Sequence, residues 1–108
     1  MRTEIGKINS ISFGHGGYQD AMIGVTFDLG GKAWGVGDFW GTWSMKRSES
    51  CQWTEADRIK ILGETVMKLN KLLEEAKVSD LKDLKDVPVE VSFENNTLKS
   101  WRILTEVI

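Results

Sequence analysis

The hydrophobic period of this chain changes twice, from two residues to 3.6 and back to two, and that order of periods restricts the fold more than any other feature. Ala21, Ile23, Val25, Phe27 and Leu29 alternate with Met22, Gly24, Thr26 and Asp28, which marks a half-buried strand. Gly30-Gly31 follows as a two-residue hairpin signal, and the next strand is expected from Lys32 to about Trp40. Upstream, residues 5–13 carry Ile5, Ile8, Ile11 and Phe13, which do not share one parity, so a bulge or an edge strand is expected there.

Between Thr54 and Lys77 the stripe Ile59, Leu62, Val66, Leu69, Leu73, Ala76 advances by threes and fours, predicting an amphipathic helix of about six turns. Thr54-Glu55-Ala56-Asp57 has the form of a capping box, with Trp53 just outside it. Gly63 inside the helix suggests close packing against the sheet or a ring. Arg58, Lys68 and Glu75 read as part of the solvated outer side. Ser79-Asp80 can cap a short turn through Leu81 and Leu84 before Pro88. Val87, Val89, Val91 and Phe93 then alternate again, Asn95-Asn96 supplies a tight turn, and residues 98–107 return as a last strand. A three-residue loop with a bulge would pair Val91 with Trp101 and Val89 with Ile103, whereas a strict two-residue loop would put Arg102 opposite Val89; the bulged turn is preferred.

These elements give an α+β domain in the order β-β-β-α-β-β. An antiparallel sheet of about five strands is covered on one face by one long helix. The 108 residues suit a single domain spanning the chain. Net charge of −2, with basic and acidic residues interspersed, argues against unspecific nucleic-acid binding. One cysteine, Cys51, and one histidine make neither an internal disulfide nor a Cys/His zinc site, and no metal or other cofactor is expected. Cys51 reads as a packed or inert thiol. The absence of a leader-like start or a long apolar run points to a cytoplasmic protein without membrane contact.

If Gly30-Gly31 is the hairpin loop, opposed residues sum to 61: Phe27 faces Trp34, Val25 faces Val36, Ile23 faces Asp38 and Ala21 faces Trp40. Asp38 then falls on the apolar face and needs a hydrogen-bond partner such as His15, Tyr18 or a backbone amide. On the other face Gly24 pairs with Gly37 and Thr26 with Gly35, leaving a strip nearly free of side chains. The same register brings residues 14–20 and 38–43 to one end of the sheet. That end is the candidate site: His15, Gly16, Gly17, Tyr18, Gln19, Asp20, Asp38, Trp40 and Trp43 combine backbone-exposing glycines with rings for stacking and polar groups for direction. Gly14, Gly16 and Gly17 resemble a phosphate loop only loosely, since neither a strong helix nor a Walker lysine follows. His15, Asp20 and Asp38 would make an acid–base or metal-binding set only if they met; a glycine-flanked histidine is ordinarily a solvated residue. Trp34 and Trp101 read as core, and Trp53 as packing at the helix entry.

The runs Gly14-His15-Gly16-Gly17-Tyr18-Gln19-Asp20-Ala21, Trp34-Gly35-Val36-Gly37-Asp38-Phe39-Trp40-Gly41, Trp53-Thr54-Glu55-Ala56-Asp57-Arg58 and Ser100-Trp101-Arg102-Ile103-Leu104-Thr105-Glu106-Val107 together resemble a group of small proteins encoded by tailed bacteriophages and prophages. The resemblance implies no activity and no residue roles. It implies a context, an accessory protein made inside an infected bacterium, and hence the expectation of a non-enzymatic binder of a host component, such as an anti-CRISPR or other counter-defence inhibitor. A binder of a nucleotide or nucleotide-like small molecule, using the glycine loop and the tryptophans, is the second reading, and a small metal-dependent hydrolase the third. Exposed aromatics and an open sheet edge also offer self-association as a homodimer.

Overall fold

The computed structural model describes residues 2–43 and 52–108. Strands β1 (Arg2–Gly16), β2 (Met22–Gly30) and β3 (Gly35–Trp43) precede helix α1 (Glu55–Ala76), and β4 (Pro88–Glu94) and β5 (Thr97–Ile103) follow it. They form one antiparallel sheet in the order β3-β2-β1-β4-β5, as the α+β expectation required. The imperfect alternation of β1 has its cause at Asn9. The ladder to β2 runs from Ile8–Leu29 to Ser10–Asp28, so Asn9 is a bulge that returns Ile8 and Ile11 to the same face.

β1 serves two hairpins in turn. Its first half, from Arg2 to Lys7, pairs with β4, and its second half, from Lys7 to Gly16, pairs with β2. In a flat sheet this stagger would place Trp40 of β3 and Trp101 of β5 about 30 Å apart. Their rings instead stack at 5.6 Å with 21° between planes. The sheet is therefore folded over along β1, and its two outermost strands meet. Val25, Phe27 and Leu29 of one hairpin and Val89, Val91 and Ile103 of the other form the buried core between them.

The first hairpin differs from expectation in register. Observed pairs sum to 65: Val25–Trp40, Phe27–Asp38, Leu29–Val36 and Gly30–Gly35, so β2 and β3 are joined by four residues rather than by Gly30-Gly31 alone. The Gly31 amide donates to the Trp34 carbonyl at 3.0 Å to close that loop. Trp34 supplies the reason. Its ring turns back over Gly6 and Gly31, where a Cβ would lie 2.7 and 2.4 Å from the indole, and meets Phe93 edge-on at 5.6 Å. A Trp34 held in the strand opposite Phe27 could not make that contact. Because the slip is an even number of residues, every side chain keeps its face.

Helix α1 opens on the expected capping box: the Asp57 amide donates to Thr54 Oγ1 at 3.1 Å and the Thr54 amide to Asp57 Oδ2 at 2.9 Å. It ends at Lys77, whose backbone is left-handed with φ 59°. The helix does lie on one face of the sheet, but only its C-terminal half is well covered, through Leu69, Leu72, Leu73 and Ala76. Ile59 and Val66, expected in the buried stripe, are 65% and 63% exposed, while Arg58, read as solvated, is buried against Trp53. Gly63 contradicts the expectation of close packing, since a Cβ there would meet nothing within 4 Å. Gly63→Ala is therefore expected to stabilise the fold by about 0.5–1 kcal/mol, read as a raised unfolding midpoint in denaturant.

Asp80 caps the short 3-10 turn Leu81–Leu84 through the Lys82 amide at 3.0 Å. In the last hairpin Val91 faces Trp101 and Val89 faces Ile103, as preferred, but the connecting turn has only two residues. Asn95 and Asn96 both take positive φ, and the extra residue is Lys99, between the Phe93–Leu98 and Ser92–Ser100 pairs. β5 stops at Ile103 rather than continuing to 107, and a 3-10 turn Thr105–Val107 follows.

Arg102 fastens that turn with two hydrogen bonds to Glu106, at 2.9 and 2.8 Å, and one to Glu90 at 3.2 Å. The Arg102 hydrogen bonds pull the Glu106 carboxyl down to about 2. A carboxyl lowered on folding contributes stability above its unfolded pKa and loses it as pH falls through the folded value. The fastening should thus hold through the ordinary carboxylate range and release only near pH 2. A side-chain NMR titration should place the Glu106 midpoint there and move it upward in Arg102→Ala. Among the described residues no helix is long and apolar enough to cross a membrane. Cys51 lies outside the described residues.

Candidate functional site

The end of the sheet expected to carry the site is built from one cross-strand row, Gly16–Met22–Trp43. Gly14 and Gly16 are not loop residues: both belong to β1 and pair with Gly24 and Met22. That removes the loose likeness to a phosphate loop. The connection is Gly17 followed by the short 3-10 turn Tyr18–Asp20; Gly17, Gln19 and Asp20 have positive φ, and the Asp20 amide donates to the Gly17 carbonyl at 3.3 Å. Gln19, Asp20 and His15 are exposed. The Tyr18 ring, expected to stack on a ligand, lies outside the described side chains.

Trp43 is 42% exposed and stacks on Trp53 at 5.7 Å with 13° between planes. Trp53 is in turn held from the helix, with the Arg58 guanidinium 5.2 Å from its ring and Arg58 paired to Glu55. Beside this stack lies an open hollow of about 550 Å³ lined by Trp43, Trp53, Gln52, Asp57, Lys60 and Glu64. Its rim carries both charge signs. The hydrogen bond from the Thr54 backbone, followed by that from its side chain, holds the Asp57 carboxyl below its usual range, so one rim position is a fixed carboxylate.

Asp38 and Trp40 belong to a different place. Their side chains are on the inner face, where Asp38 Oδ2 accepts from the Trp40 indole at 2.9 Å and from the Trp101 indole at 2.7 Å. Oδ1 accepts the Phe39 amide at 3.0 Å. Asp38 does sit on the apolar face with hydrogen-bond partners, but these are two indoles and the Phe39 backbone rather than His15 or Tyr18. The carboxylate acts as a latch between the two edge strands. Phe27 completes the cluster, its ring 4.7 Å from Trp40 and 5.2 Å from Trp101.

His15, Asp20 and Asp38 are not brought together. His15 pairs with Ile23, which pairs with Thr42, so His15 and Asp38 are two strands and four residues apart, about 16 Å on a regular sheet. Among the described residues no three His, Cys, Asp or Glu side chains could hold a metal ion. The hydrolase reading thereby loses the constellation it needed.

Two further expectations are corrected. The glycine row of the outer face is Gly14–Gly24–Gly41, running across three strands, rather than Gly24 with Gly37 and Gly35 beside Thr26. Lys68 and Glu75 are not remote from the aromatic residues: the Lys68 ammonium lies 4.4 Å from the Trp40 ring centre, and both side chains line a groove of about 310 Å³ with Trp101. The residues missed from sequence are Trp53 and Trp101. Trp101 lies far along the chain from the Phe27 and Trp40 rings it contacts, and for Trp53, ten residues from Trp43, only the adjoining capping box hinted that its position was fixed.

No protein-family model, curated protein or solved structure matches the chain.

Proposed function

We propose that this protein is a non-enzymatic binder whose contact surface is the end of the sheet formed by the 17–20 turn, Trp43, Trp53 and the first turns of α1. The observation that carries the reading is the Trp43–Trp53 stack, a rigid aromatic surface open to solvent and rimmed by Asp57, Lys60 and Glu64. Large rings fixed before contact lose little conformational freedom when a partner covers them, and mixed charges around them supply direction. The likeness to phage-encoded proteins makes a protein of the bacterial host, such as a defence component, the partner class this reading takes, with the action in the host cytoplasm.

Tagged protein should be used to capture partners from infected cells, and each captured protein then purified and titrated against wild type and variants. Trp43→Ala is expected to weaken binding at least tenfold, whereas Lys99→Ala, in the β4–β5 hairpin, should leave it unchanged. Equal binding by wild type and Trp43→Ala, or turnover of a substrate abolished by His15→Ala in a folded protein, would overturn the reading.

A nucleotide-like small molecule is the second reading, favoured by the groove at Trp40 and Trp101, where Lys68, Lys71 and Arg102 stand beside aromatic rings. Quenching of tryptophan fluorescence by nucleoside mono- and diphosphates, reduced in Lys71→Ala, is its expected signature. Unchanged fluorescence with nucleotides in large excess would dismiss it.

A further inference from the structure

We infer that the protein forms a twofold homodimer in which the second half of β1 pairs antiparallel with the same segment of a second copy. From Ser10 to Gly16, β1 has among the described residues a ladder partner on one side only, since β4 stops opposite Lys7 and the backbone contacts of Asp86 and Val87 end at Ile8. The open edge reads Ser-Ile-Ser-Phe-Gly-His-Gly, without lysine, arginine, carboxylate or proline. Natural sheets guard free edges with such residues or with a covering element. The other edges differ: β3 is in contact with α1, β5 carries Lys99 and Arg102, and the start of β1, beyond its pairing with β2, carries Arg2 and Glu4. This one is bare.

A second observation bears on what would cover it. Phe13, on this edge and on the inner face, is 69% exposed and shares an almost wholly apolar hollow with Leu62, Val66 and Leu69 of the helix. Ile59 and Val66 continue that apolar flank into solvent. When two antiparallel strands extend one sheet about a twofold axis, the axis stands perpendicular to the sheet and both helices lie on the same side. Centred on Phe13, the pairing sets Phe13 against its own copy, Ser12 against Gly14 and Ser10 against Gly16. The two helices then flank the Phe13 pair and close over it with Ile59 and Val66 from each copy. The strand edge and these side chains bury on the order of 1,000 Å² in total, the lower bound for a specific interface. A different protein would have to supply both a matching strand and a matching apolar flank; a second copy has both by symmetry.

Sedimentation equilibrium on the full chain tests the state, and a cross-link tests the geometry. Wild type is expected to be dimeric at about 10 μM, and Phe13→Glu or Val66→Glu, each at an exposed position, should raise the dissociation constant at least tenfold with an unchanged circular dichroism spectrum. In a Cys51→Ser background, Phe13→Cys should oxidise to a disulfide-linked dimer, because facing Cβ atoms of paired strands lie within disulfide range. A wild-type monomer at about 100 μM, a dimer indifferent to both glutamates, or a dimer that forms no cross-link through position 13 would overturn the inference.

Discussion

Asp38→Ala is expected to lower the unfolding free energy by about 2–3 kcal/mol, although the residue it removes is only partly buried. One carboxylate holds two indole N–H groups and a backbone amide. Its loss leaves three donors to find other partners in a cluster already filled by Phe27, Trp40 and Trp101. Hydrogen bonds to a charged acceptor are stronger than neutral ones, and orphaned donors add a desolvation cost. Asp38→Asn keeps one carbonyl oxygen as acceptor but not the charge, so it should cost about 1 kcal/mol. Tryptophan emission should shift in both variants, since two indoles share the acceptor. Denaturant unfolding of Asp38→Ala indistinguishable from wild type would show that the latch contributes nothing.

Gly24→Ala and Gly41→Ala should each cost about 3 kcal/mol, the scale of a severe overpacking change. A Cβ at Gly24 would lie 2.2 Å from the Trp40 carbonyl oxygen, and one at Gly41 would lie 2.2 Å from that of Ile23. Backbone sits on both sides of the collision, so no side-chain rotation relieves it. Gly14 belongs to the same cross-strand row, yet a Cβ there meets nothing within 4 Å. Gly14→Ala thus gains the same strand propensity without the collision and should be neutral or slightly stabilising. The difference between Gly14→Ala and Gly24→Ala, measured by chemical denaturation, separates close approach from propensity. Equal effects at the two sites would refute the packing argument.

Much of the local structure was legible because short-range physics determines it. The Thr54–Asp57 capping box needs only four consecutive residues, the Asn95-Asn96 turn needs two that tolerate positive φ, and the strand at 22–30 follows from alternation. The face assignment of Asp38 was legible too, and survived a wrong register because the slip was even. The slip itself was not. Two glycines favour a tight hairpin locally, and what outweighed them was the packing of Trp34 on Gly6 and Phe93, residues that lie 28 and 59 positions away in the chain.

The candidate site was divided for the same kind of reason. The row through Gly16 and Trp43 follows from strand order, which a chain of hairpins reveals, but Asp38 and Trp40 left that end for a cluster completed by Trp101. Their meeting requires that two hairpins staggered along one strand, on either side of the Asn9 bulge, close on each other. Sequence by itself determined the order of the main elements, the helix N-cap and the inward faces of β2 and β4, because periodicity and backbone preference act over a few residues. Only the tertiary structure decided which rings meet and which carboxylate is spent on holding strands together. Those outcomes come from packing between residues far apart in the chain, as where Trp40 meets Trp101.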